Sequence, residues 1–99
     1  MKRLLALLLV VAGPVAFLQS QPSTSQVGRV QKLAPDVYFY EGDIGKGHCN
    51  NAWIVLDDYV LVVDANFPSG AREILPKIRE LTTKPIRFAF DTHHHGDHA

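Results

Sequence analysis

Residues Tyr59–Phe90, "YVLVVDANFPSGAREILPKIRELTTKPIRFAF", decide the fold. Tyr59 to Val63 is a β-branched and aromatic run of the kind strands favour. It is nearly all apolar, which predicts a central strand buried on both faces, and it stops abruptly at Asp64. Ala71, Ile74, Leu75 and Ile78 then repeat with the i, i+3, i+4, i+7 spacing of one helix face, and Leu81 extends the stripe. Ser69 can serve as the N-cap. Pro76 falls inside the helix, where proline costs about 3 kcal/mol, so a kink or an irregular first turn is expected. Ile86, Phe88 and Phe90 alternate with Arg87 and Ala89 as a second strand. A strand, a helix and a strand make a βαβ unit, whose crossover leaves the two strands parallel.

Upstream, Ala52–Leu56 pairs with Tyr59–Val63 as a hairpin turning at Asp57-Asp58. Val37–Tyr40 is another strand. Ala34-Pro35-Asp36 turns it back onto a looser alternating run that starts near Val27. Between these hairpins lies "GDIGKGHCNN", Gly42–Asn51. Its glycine spacing fits neither the P-loop nor the dinucleotide fingerprint, and no helical pattern follows, so a flexible hairpin tip is expected. His48 reads as a surface histidine of that loop, with a place at an active-site mouth as the alternative. The fold class is α/β (α+β): a mixed sheet with a helix.

The 99 residues suit one small domain. Ten Lys and Arg balance ten Asp and Glu, which gives no electrostatic case for a nucleic acid or a membrane surface as partner. Cys49 is the single cysteine, so no internal disulfide staples the fold. It reads as a small buried hydrophobe, with a reactive thiol or metal ligand as the alternative.

The chain opens with "MKRLLALLLVVAGPVAFLQSQ". Lys2 and Arg3 precede the unbroken apolar run Leu4–Ala12. Gly13-Pro14 breaks that run, and Ala16 and Ser20 offer small residues for cleavage. An uncleaved anchor would need about 20 apolar residues, more than this run supplies. The expected organisation is an export signal at residues 1–20, a polar tail at 21–26 and a domain at 27–99. The expected location is the periplasm or outside the cell, with membrane contact only through the signal.

"FDTHHHGDHA", Phe90–Ala99, follows the last strand. Ligand sites of open α/β sheets lie off the carboxyl ends of strands, so its position suits a site. His93 and His95 are two apart, and in extended backbone they point to one side while His94 points away. Gly96 allows a sharp turn through positive φ. Asp97 and His98 follow and can face a second ion. Imidazole with carboxylate suits Zn²⁺, and also Fe or Mn. A solvated tail, a tag or a metal-sequestering tract is the competing reading; the Gly96-Asp97 interruption after an ordered strand weighs against it.

Thr92-His93-His94-His95-Gly96-Asp97-His98 matches the T-H-x-H-x-D-H signature and resembles the metallo-β-lactamase superfamily. Asp64, the helix and the following strand also look like that family's order, so the resemblance covers about Val27 to Ala99. It implies the N-terminal part of an αβ/βα sandwich. His93 and His95 would hold one zinc, and Asp97 and His98 a second, with Asp97 also handling a proton. Asp64 would orient the metal loop through hydrogen bonds; a plain strand-end cap is the alternative. His94 sits at the variable position.

The implied activity is that of an exported zinc-dependent hydrolase. A metal-activated hydroxide would attack an ester, thioester, amide or β-lactam of a small-molecule substrate. The family's remaining ligands follow this motif, so the 99 residues are expected to be the first part of a longer enzyme, inactive and poorly stable alone. A non-catalytic histidine-rich metal-binding protein is the alternative function. A sulfur-handling redox relative rests on Cys49 alone.

Overall fold

The fold is built from β1 (Val30–Ala34), β2 (Val37–Tyr40), a 3-10 turn (Ile44–Lys46), β3 (Asn51–Val55), β4 (Val60–Val63), α1 (Pro68–Leu81) and β5 (Ile86–Phe90). These elements come from a computed structural model that describes residues 24–99. The expected export signal lies outside the described residues, as does the start of the polar tail. No described helix is long and apolar enough to cross a membrane.

The five strands form one mixed sheet in the order β1-β2-β3-β4-β5. The first four pair antiparallel, each with its neighbour in sequence. β5 joins β4 in parallel after the α1 crossover, with Val63 opposite Phe90. The expected βαβ unit is present. β1 begins later than the alternation suggested: Val27 makes only an isolated bridge to Glu41. The β1–β2 turn is closed by Asp36 at φ 61, a conformation aspartate tolerates better than most residues.

The core lies between one sheet face and α1. Tyr40, Trp53, Val60, Val62, Ile74 and Ile78 form it, and Trp53 and Val60 are wholly enclosed. Trp53 stands opposite Val62 on β4 and opposite Tyr38 on β2, whose ring stacks on the indole at 5.9 Å. α1 buries Gly70, Ile74 and Ile78, residues spaced by four and therefore stacked along one face.

Two expectations need correction. β4 is buried on one face only: Val60 and Val62 are enclosed, while Leu61 and Val63 are half-exposed. The described chain has a single helix to cover the sheet. Ser69 is not the N-cap of α1. Phe67 holds that position without a side-chain bond, because Pro68 takes the first helical turn, where a fixed φ and missing N–H suit it. The helix is continuous through Pro76. Every β5 residue is exposed, Phe88 and Phe90 at 56% and 60%.

Candidate metal centre

The site begins where β4 stops. Asp64 and Asn66 both adopt left-handed backbone, at φ 61 and 70, which turns the chain out of the sheet within three residues. The Asp64 amide donates to Phe90 O at 2.8 Å and the Ala65 amide to His98 O at 2.9 Å. The carboxyl ends of β4 and β5 and the histidine loop are thereby tied together by backbone alone.

The Asp64 side chain is buried beneath that junction. Thr92 donates its amide to Oδ1 at 2.8 Å and its hydroxyl to Oδ1 and Oδ2 at 3.0 and 2.9 Å. His98 Nδ1 stands 2.9 Å from Oδ2. Burial alone would raise the Asp64 pKa. The bonds from the Thr92 amide, His98 and the Thr92 hydroxyl outweigh it and hold the carboxyl below its ordinary value.

That ionised carboxylate fixes the His93 tautomer. It can only accept, so the single Thr92 hydroxyl proton points to Asp64. His93 Nδ1, 2.9 Å from the same oxygen, must then donate to it, which leaves His93 Nε2 as the acceptor of that ring. His98 lies against the same carboxylate, with Nδ1 2.9 Å from Asp64 Oδ2 but off hydrogen-bond geometry and Nε2 3.4 Å from Asp97 Oδ2. His93 Nε2 in turn faces His95 Nδ1 at 3.1 Å, and the His93 and His98 rings lie 4.0 Å apart.

The structure therefore brings His93, His95, Asp97 and His98 into one loop, with Asp64 beneath it. Imidazole and carboxylate are donor types that suit zinc, and the His93 ring lies against both His98, at 4.0 Å, and His95, at 4.6 Å. Among the described residues no three His, Cys, Asp or Glu side chains converge on one point. Three details differ from expectation. Residues 92–94 bend rather than run extended, so it is ring packing and not strand alternation that joins His93 to His95. His94 is not turned away; its ring lies 5.1 Å from His95. Gly96 has no positive φ; a side chain there would meet only the Phe67 ring at 3.7 Å.

A second buried layer supports the first. Asn51 donates to Asp64 O. Asn66 donates to Cys49 O at 3.2 Å and to Asn51 Oδ1 at 3.0 Å, while its own Oδ1 accepts the Phe67 amide at 2.9 Å. Two glycines make room for this. A Cβ on Gly42 would sit 2.1 Å from Cys49 O, and one on Gly70 2.3 Å from Asn66 Cγ. Cys49 is buried, as expected for a small hydrophobe. Burial, and then the charges of Asp64 and Asp97, push its thiol up to about 11.

The glycine-rich loop is not a loose tip. Asp43 caps its 3-10 turn by accepting the Gly45 amide at 2.9 Å. Lys46 Nζ binds Glu73 of α1 at 2.7 Å. His48, expected at the surface, is buried at 6% exposure against α1. Glycine flanks give no sign of such docking, which is set by α1. An open cleft of about 330 Å³ lies between this loop and the metal loop, with Cys49, Asn50, Asp97 and His98 on its wall. A larger cleft, about 550 Å³, sits at the far end of α1 by Thr82 and Pro85 and holds none of the donors.

Sequence reasoning missed the buried Asn51 and Asn66. The available signals were a doubled asparagine and an asparagine just past a strand end, where left-handed backbone favours that residue. Compared with known protein families and with curated proteins, the chain gives no match.

Proposed function

We propose that the chain carries the zinc-binding loop of an exported metallo-hydrolase similar to the metallo-β-lactamase superfamily. The observation that supports this best is the Asp64 carboxylate. It faces His98 at 2.9 Å and reaches His93 through Thr92, so that each ring turns its Nε2 toward another candidate ligand, His95 or Asp97. A carboxylate behind a ligating imidazole is a recurrent way of fixing ring and tautomer. The signature Thr92–His98, and its place after a βαβ crossover, agree with this reading.

In this proposal His93 and His95 hold one zinc, and Asp97 and His98 a second. Fe or Mn would suit the same donors. Bound zinc supplies Lewis acidity to a carbonyl and acidifies water near neutral pH. The chain's own part is positional. Asp64 and Thr92 hold the imidazoles, and the two asparagines hold Asp64. Asp97 would pass a proton between water and a leaving group in this proposal, and its position on the wall of the 330 Å³ cleft supports that role. Esters, thioesters, amides and β-lactams are the substrate classes of this proposal. Residues 1–20 support export to the periplasm or beyond.

The test is zinc uptake by the purified chain, read by competition with a chromophoric chelator, beside hydrolysis of one substrate from each class. The expected result is zinc binding that His93→Ala and His98→Ala each weaken, without turnover by these 99 residues alone. A folded chain that takes up no zinc overturns the proposal. Tight stoichiometric zinc binding by a chain that is stably folded on its own supports instead a non-catalytic histidine-rich metal-binding protein.

A further inference from the structure

Among the described residues, a second group of reactive side chains meets apart from the histidine loop. Ser69 and Glu73 are four residues apart on α1 and so lie one turn apart on the same face. His48 reaches both from the glycine-rich loop: Nε2 is 3.0 Å from Ser69 Oγ, and Nδ1 is 3.6 Å from Glu73 Oε2. The imidazole is 4% exposed and its Nδ1 has no hydrogen-bond partner. Ser69 is open to solvent. Glu73 also receives Lys46 at 2.7 Å and the Tyr40 hydroxyl at 3.4 Å. The Lys46 bond, above all, holds its carboxyl below the ordinary range.

We infer that Ser69, His48 and Glu73 form a nucleophile, base and carboxylate relay that acylates Ser69 from small carboxylic esters without a metal. Hydroxyl, imidazole and carboxylate stand in the order such a relay requires, with the base bonded to the nucleophile and the carboxylate behind the base. A mere tie between loop and helix would explain the Ser69 bond. It would not explain a buried imidazole nitrogen left unpaired beside an anion, an arrangement that costs stability. The relay gives that nitrogen a use, because an Nδ1–H of imidazolium is stabilised by Glu73. Ser69 also lies in the first turn of α1, where amides have no intrahelical acceptor and the helix end is positive. Both features favour an oxyanion formed at Ser69.

In the first step Ser69 Oγ bonds to the ester carbonyl carbon while its proton passes to His48 Nε2. The tetrahedral oxyanion collapses, the C–O bond to the alcohol breaks, and the alcohol leaves with the proton from Nε2. Water then adds to the acyl-serine, giving its proton to Nε2. Collapse releases the carboxylic acid and returns the proton to Ser69 Oγ. The open position of Ser69 restricts the substrate to unhindered esters.

The test treats the full chain, in excess EDTA, with an alkyl fluorophosphonate and separately with p-nitrophenyl acetate. The expected result is one phosphonyl adduct, mapped to Ser69 by peptide mass spectrometry, and acetate release that Ser69→Ala removes. His48→Gln should slow labelling by about 100-fold or more, and Glu73→Gln by about tenfold or more. An unlabelled Ser69 in wild-type protein whose Trp53 fluorescence shows it folded overturns the inference. So does wild-type labelling in either folded variant. Because EDTA is present throughout, none of these outcomes bears on zinc binding.

Discussion

Asp64 and Thr92 stand 28 residues apart in sequence, yet the carboxylate of one takes both the amide and the hydroxyl protons of the other. Asp64→Asn keeps the shape but puts a donor where acceptors are needed. Zinc affinity is expected to fall about 10- to 100-fold, measured by chelator competition. Thr92→Val should weaken it in the same direction, since His93 Nδ1 loses its acceptor. Unchanged affinity in both would remove the proposed orienting role.

Gly70→Ala reverses an ordinary expectation. Alanine for glycine in a helix usually gains up to about 1 kcal/mol. Here the new Cβ would stand 2.3 Å from Asn66 Cγ, so Asn66 must leave Cys49 and Asn51. A net loss of about 1–3 kcal/mol is expected from overpacking, read by urea denaturation, together with weaker zinc binding.

The Cys49 thiol should titrate near 11 against an ordinary 9.0, followed by thiolate absorbance. Because the folded value is the higher one, Cys49 favours the folded state fully below about pH 9. That contribution is lost as pH rises from about 9 to about 11, where the unfolded chain ionises first. Alkylation at pH 8 should be slow in buffer and fast in urea. Equal rates would show that the thiol is not buried.

Two aliphatic residues of α1 should separate cleanly. Ile78 is 1% exposed in the core, and its change to alanine is expected to cost about 2–5 kcal/mol. Leu81, three residues on and 45% exposed, should change stability by at most about 0.5 kcal/mol. Chemical denaturation followed by Trp53 fluorescence measures both.

The βαβ unit was legible because period and spacing are local properties. Ile74 and Ile78 announce their face by their interval. The burial of His48 was not legible. It depends on where α1 lies against the loop, a relation between segments 21 residues apart. Ser69 shows the same limit: it has the residue type of an N-cap, yet its hydroxyl meets His48 because Pro68 and Phe67 set the start of α1. The two-faced burial read from β4 failed because an apolar run records what a strand tolerates, not how many layers cover it.

The junction of Asp64 with Thr92 also sets a folding order. The first four strands can zip as successive hairpins, each closing over a short loop. β5 joins only after the α1 crossover, and such non-local closure is the slow kind. Thr92 and the histidines arrive with β5, so the donor loop is assembled at the last stage. Zinc added during refolding should therefore bind in step with the slowest phase, making the metal a reporter of completed folding rather than its seed.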